Sequence, residues 1–147
     1  MKKVKESVNG KKFVQPVEKV EKICFNFSYY LSNKSYNFNY FKKDITQKAK
    51  AYDSLVDKLY SLSGKSIEEV IMLRKKAGGS EFIQLKYFSQ NFRESAKAIG
   101  ILSNDSSLIV FRFGQSDKYR LICKSDATHN NILYVIGFDF DFSAYSH

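Results

Sequence analysis

The hydrophobic periodicity changes twice along this 147-residue chain, and the order of these changes restricts the fold more than any other feature. Residues 23–41 alternate between apolar and polar positions, residues 44–62 repeat every three to four positions, and residues 108–138 return to strand-like runs. A period of two is typical of β-strands, and a period near 3.6 is typical of amphipathic helices. Strands on both sides of a helical middle section predict an α+β fold.

The first alternating segment predicts a β-hairpin. Residues 23–30 form one expected strand and residues 36–41 the other, joined by the polar turn 32–35. One face of this hairpin has to pack on the helices. The other face is the expected binding face, and it carries Asn26, Ser28, Tyr30, Asn37, Asn39 and Phe41.

Three segments in the middle of the chain carry helix signals. Asp44 is the expected N-cap of a first helix that ends near Gly64. Ser66 and Glu69 have the spacing of a capping box for a second helix, and Ser89 is the expected cap of a third. Residues 82–88 fit either a short strand or a buried loop. The expected buried face of the first helix consists of Ile45, Ala49, Tyr52, Leu55, Val56, Leu59 and Leu62.

The last 45 residues predict a three-stranded β-meander over 108–113, 118–124 and 131–138, with turn-like segments between the strands. We therefore expect an antiparallel sheet, made of the N-terminal hairpin plus this meander, with two or three helices packed on one face. A chain of this length with 44% hydrophobic residues fits a single domain over 1–147.

The net charge of +9 is concentrated in the first 50 residues, where twelve lysines accompany only four acidic side chains. After residue 50, twelve basic and eleven acidic groups nearly balance. AT-rich coding explains why lysine is preferred to arginine, but it does not explain this asymmetry. Clustered positive charge attracts polyanions, and residues 1–12 are expected to form a flexible basic arm.

These observations predict binding to nucleic acid, with RNA favoured, or to a nucleic-acid-binding protein. Lysines neutralise phosphates, and aromatic rings stack on unpaired bases. The predicted nucleic-acid-binding residues are Lys11, Lys12, Tyr30, Lys34, Phe41, Lys42 and Lys43.

A pair of aspartates near the end of the chain has two interpretations. In an extended segment, Asp139 and Asp141 would share one face about 7 Å apart, close to His147, and such groups can hold a divalent cation. The alternative is a half-buried edge strand whose aspartates face water. No metal or cofactor is predicted, because further carboxylate ligands are not apparent.

Basic and aromatic side chains in the meander suit metal-free cleavage of RNA. An arginine can hold the scissile phosphate, and a tyrosine or histidine can transfer a proton. Strand faces also carry lysine and arginine simply for solubility, so catalysis is an alternative to binding rather than the leading hypothesis. The candidate catalytic residues are Arg112, Arg120, Tyr145 and His147.

About 30 residues at the end of the chain resemble small bacterial proteins related to RelE-type toxins. In those relatives the last strand runs into Phe-Asp-Pro, a variable residue, His, two more residues and Tyr. Phe138, Asp139 and Tyr145 match, whereas Phe140 replaces the proline and Phe142 replaces the histidine. The resemblance implies an antiparallel sheet flanked by helices, messenger RNA as substrate and an antitoxin as partner.

Further expectations concern location and assembly. The lysine-rich start is followed by polar residues where a signal peptide needs an apolar run, and no stretch reaches ~18 apolar residues, so we expect a cytoplasmic protein without a membrane partner. Exposed strand edges could pair between copies to give a homodimer. A third functional alternative is a phage or mobile-element inhibitor of the anti-CRISPR or anti-nuclease type that acts by protein–protein contact.

Overall fold

The structure of this protein is a computed structural model that describes residues 20–73 and 79–146. It confirms the predicted α+β class. Within the described residues the strands are β1 (Cys24–Asn26), β2 (Ser80–Gln84), β3 (Ser107–Phe113), β4 (Tyr119–Ser125) and β5 (Ile132–Asp139). The helices there are α1 (Ile45–Ser63), α2 (Ile67–Met72) and α3 (Gln90–Lys97). The predicted basic arm, 1–12, lies outside the described residues.

All three expected helix caps are confirmed. The Asp44 carboxylate accepts the Gln47 N–H at 3.1 Å where α1 begins. Ser66 and Glu69 exchange side-chain-to-backbone bonds of 2.9 and 3.1 Å in a capping box at the start of α2. The Ser89 hydroxyl caps α3 by accepting the Phe92 N–H at 3.3 Å. Caps depend on residues a few positions apart, so the sequence alone is sufficient to predict them.

The predicted N-terminal hairpin is wrong, and the sheet is mixed rather than antiparallel. Strand β1 pairs in parallel with β5 at one edge, in the strand order β1-β5-β4-β3-β2. The second expected strand is replaced by two 3-10 turns, Lys34–Tyr36 and Phe38–Phe41. Asparagine side chains explain the difference: Asn33 and Asn37 each accept the backbone N–H two residues ahead, at 2.9 Å. These local bonds compete with a strand ladder.

Strands β3, β4 and β5 pair antiparallel and start and end close to the predicted positions. They are buried on both faces, which corrects the expectation that the helices occupy one face. Helices α1 and α2 pack on one side of the sheet through residues such as Leu55 and Val70, against Phe111 and Leu121. Helix α3 packs on the other side, where Phe92 joins a second buried cluster. Continuous apolar runs, rather than strict alternation, are typical of strands covered on both sides.

Helix α1 is rotated relative to its predicted orientation. Leu55 and Leu62 are buried as expected, but Ile45, Tyr52 and Val56 are exposed by 78, 45 and 62%. Ala51 is the small residue that faces the sheet instead and is fully buried. Apolar side chains occupy more than one face of this helix, so its period alone could not determine which face would be covered.

Candidate nucleic-acid interface

The two 3-10 turns and the start of α1 form a surface groove of about 940 Å³. A tight reversal at Lys42, whose φ is +52°, brings the chain into the helix. The Lys42 N–H bonds the Asn39 carbonyl at 3.0 Å, and the Asp44 N–H bonds the Phe41 carbonyl at 2.8 Å. We call this feature the basic groove, and its lining residues are Lys34, Ser35, Asn39, Tyr40, Phe41, Lys42, Lys43 and Asp44.

The charge of the basic groove is positive. Lys34, Lys42 and Lys43 are exposed, and no carboxylate of the described residues lies within 4.0 Å of their amines. Asp44, the one acid among the described residues that line the groove, directs one carboxylate oxygen to the backbone of α1. The partial positive charge of the first turn of α1 opposes the negative charge of Asp44, so the three lysines leave the groove positive.

The aromatic residues of the groove differ from those predicted. Phe41 is only 9% exposed and contacts Phe140, with ring centroids 4.6 Å apart. Tyr30 is half-buried, its hydroxyl accepts the Phe38 N–H at 3.3 Å, and burial raises its pKa to about 12. Both rings therefore belong to the core more than to the surface.

Tyr40 is the ring that sequence reasoning missed. It lines the basic groove and is partly exposed, with its back against Phe140 at a centroid distance of 5.5 Å. Burial, and then the negative charge of Asp141, raise the pKa of its phenol, so it stays neutral at physiological pH. In an alternating strand, Tyr40 would lie on the face that packs on the helices. The 3-10 turn Phe38–Phe41 instead directs its ring toward the groove. The sequence did contain a signal for this turn, because asparagine, which precedes Tyr40 at positions 37 and 39, favours turns.

Five of the seven predicted nucleic-acid-binding residues thus fall within the described chain, and four of them line one groove. These four are Lys34, Phe41, Lys42 and Lys43. Tyr30 lies behind it, in the aromatic core. Lys11 and Lys12 lie outside the described residues.

A second cluster joins three of the four candidate catalytic residues. Arg112 and Arg120 are cross-strand partners on β3 and β4, and the Tyr145 hydroxyl lies near Arg120. That hydroxyl donates to a Glu81 carboxylate oxygen at 3.3 Å. His147, the fourth candidate, lies outside the described residues.

Burial in this cluster favours a structural role. Arg120 is 5% exposed, and its guanidinium donates to the carbonyls of Asp117 and Tyr119 at 2.7 and 3.2 Å, which ties down the turn before β4. Burial and then the Glu81 charge raise the pKa of Tyr145 to about 12, although Arg120 acts in the opposite direction. The Nε atoms of Arg112 and Arg120 are shielded from solvent, which limits the access of a phosphate to these side chains.

Asp139 and Asp141 do not share one face of an extended strand as considered above, although both carboxylates accept the Ser143 N–H, at 3.0 and 3.2 Å. Strand β5 ends at Asp139, which is fully buried and accepts backbone N–H groups, while Asp141 lies on the exposed turn that follows. Across residues 20–73 and 79–146, no group of three or more His, Cys, Asp or Glu side chains is arranged to hold a metal ion. In the same residues, no helix combines the length and apolar character needed to cross a bilayer.

Comparison with known proteins gave no relative: no family model matches the sequence, and neither curated proteins nor solved structures gave a significant match. The functional interpretation therefore depends on the geometry of the basic groove.

Proposed function

We propose that this protein binds nucleic acid, single-stranded RNA in the first instance, through the basic groove. The observation that carries the proposal is the convergence of Lys34, Lys42 and Lys43 around a groove of about 940 Å³, where Asp44 is the one acid among the described lining residues and caps a helix N-terminus. Three amines without close carboxylates among the described residues can contact successive phosphates of a flexible strand.

Within this proposal the lysines supply charge and Tyr40 supplies a surface for stacking. Binding a phosphate releases condensed counterions, which makes affinity dependent on salt. A partly exposed phenol ring supported by Phe140 can stack on an unpaired base of any identity. The groove therefore favours single strands, whose bases are accessible, over duplexes.

The test is fluorescence anisotropy of labelled single-stranded RNA, single-stranded DNA and duplex DNA between about 50 and 200 mM salt. Three phosphate contacts predict a slope of log affinity against log salt of about −2, and Lys42→Ala with Lys43→Ala should reduce that slope to about −0.7. The matched control, Lys86→Ala with Lys97→Ala, removes the same charge from exposed positions outside the groove and should leave the slope nearly unchanged.

Tyr40→Leu separates stacking from charge. It should weaken binding of single strands about tenfold while leaving the salt slope intact, because it removes a ring and no charge. A flat salt response of the unaltered protein, or equal losses in the control pair and the groove pair, would contradict the proposed function.

The same samples test the ribonuclease alternative. Discrete RNA cleavage that persists in EDTA and is reduced by Tyr145→Phe would favour the cluster of Arg112, Arg120 and Tyr145 over the groove. Binding without product favours the groove.

A further inference from the structure

Helix α1 carries an apolar stripe that points to solvent. Its side chains recur at steps of four, three, four and four residues, so they lie along one side of the helix over about 22 Å. Three of them are largely exposed, Ile45 by 78%, Val56 by 62% and Tyr60 by 84%. We call this feature the α1 stripe, and it consists of Ile45, Ala49, Tyr52, Val56 and Tyr60.

A continuous apolar stripe of this kind is typical of a protein interface rather than of a solvated helix face. Isolated apolar residues on a surface are common, but here four of the five are large, and all lie in register. One side of the Tyr52 ring is already used, because it stacks on Phe38 at a centroid distance of 3.9 Å. The rest of the stripe is exposed and is available to a binding partner.

We propose that the occupant is a second copy of this chain, paired through α1 in antiparallel orientation about a twofold axis between residues 52 and 53. This register makes the stripe self-complementary. Ile45 lies at the level of the partner's Tyr60, and Ala49 at the level of the partner's Val56, so the smallest side chain meets a medium one near the centre. The two Tyr52 rings then lie on either side of the axis, with the Ala49 and Val56 pairs next to them and the Ile45 and Tyr60 pairs at the ends, so the same surface meets itself as in an isologous contact.

The charges beside the stripe support the same register. Lys50, Asp53 and Asp57 are exposed along one flank of α1. In the antiparallel pair, Lys50 lies at the level of the partner's residue 55, between the partner's Asp53 and the partner's Asp57. A parallel pair would instead put this flank of the two helices on opposite sides of the contact, so these charges would not meet. Complementary flanking charges set orientation in helix pairs.

The same charges argue against nucleic acid as the occupant of the stripe. Asp53 and Asp57 would face phosphates, and the stripe offers hydrocarbon rather than donors. The inference is therefore independent of the function proposed for the basic groove.

The first test measures the mass of the full chain by light scattering and sedimentation over a concentration series. The expected result is a concentration-dependent dimer that Val56→Asp weakens by about a hundredfold in dissociation constant, because it places a carboxylate within the apolar contact. Gln47→Asp is the matched control: it adds the same charge to an exposed position on the opposite side of α1 and should leave the dimer unchanged.

The second test is a charge exchange. Lys50→Asp should raise the dimer dissociation constant by about tenfold, and adding Asp53→Lys and Asp57→Lys to the same chain should restore most of the loss. Rescue distinguishes a specific register from general loss of stability, because three changes would destabilise a helix no less than one.

Three outcomes would overturn the inference. A chain that remains monomeric across the series has no such contact, whatever the variants do. A dimer that Val56→Asp does not weaken uses another surface, such as a strand edge. A monomer that loses thermal stability on Val56→Asp, but not on Gln47→Asp, has a stripe covered within its own chain.

Discussion

Asp139 organises the turn formed by residues 140–144. Its carboxylate accepts the N–H groups of Ser143 and Ala144 at 3.0 and 3.2 Å, and that of Asp141 at 3.3 Å. The Ala144 carbonyl in turn accepts the Ser89 N–H at 2.6 Å, next to the first turn of α3. A single buried carboxylate thus holds the C-terminal turn against a helix on the second face of the sheet.

Asp139→Ala should lower the free energy of unfolding by about 3 kcal/mol, because one buried and two partly buried N–H groups would lose a charged acceptor. Asp141→Ala is the matched control; its carboxylate is exposed and accepts one N–H, from Ser143, so the loss should stay below about 1 kcal/mol. Urea denaturation followed by circular dichroism measures both. Equal losses in the two variants would show that the C-terminal turn is not organised by Asp139.

At the scale of elements, the structure separates what the sequence could and could not predict. The starts of the helices could be predicted from the caps at Asp44, Ser66 and Ser89, because each cap depends on residues within four positions of one another. The hairpin prediction was wrong because the alternation over 36–41 was interpreted as a strand. The Asn37 side chain accepts a backbone N–H there and favours a turn. The parallel pairing of β1 with β5 joins segments about 108 residues apart, a contact that no local pattern specifies.

Asn37 also shows how an element supports the candidate site. It is 6% exposed, donates to the Leu31 carbonyl at 3.2 Å and begins the turn that leads to Lys42. Asn37→Ala should reduce stability by about 2 kcal/mol and weaken RNA binding, whereas Asn39→Ala, exposed in the same turn, should change stability by less than about 0.5 kcal/mol. Thermal melts and anisotropy provide the two readings. Normal stability of the Asn37 variant would contradict this account.

At the scale of the whole molecule, the excess of lysine predicted a polyanion partner, and the sequence pointed to Lys34, Lys42 and Lys43 but not to the groove that they line. Charge counts contain no geometry, and the groove arises only when two 3-10 turns meet the start of α1. The sheet that supports those turns is shared by both hydrophobic clusters: β3 contributes Phe111 to one face and Val110 to the other. The helices of the two faces therefore depend on the same strands.

This shared sheet predicts a single cooperative unfolding transition. Leu55→Ala, beneath α1, and Phe92→Ala, beneath α3, each leave a cavity in a different cluster and should each cost about 3 kcal/mol. Because two-state domains unfold as one unit, each variant should shift the far-ultraviolet and the tyrosine near-ultraviolet transitions in urea together. Met72→Ala, at an 85% exposed position, should leave both midpoints nearly unchanged. Separate transitions, with each variant moving only one, would mean that the two faces fold independently and that the sheet does not couple them.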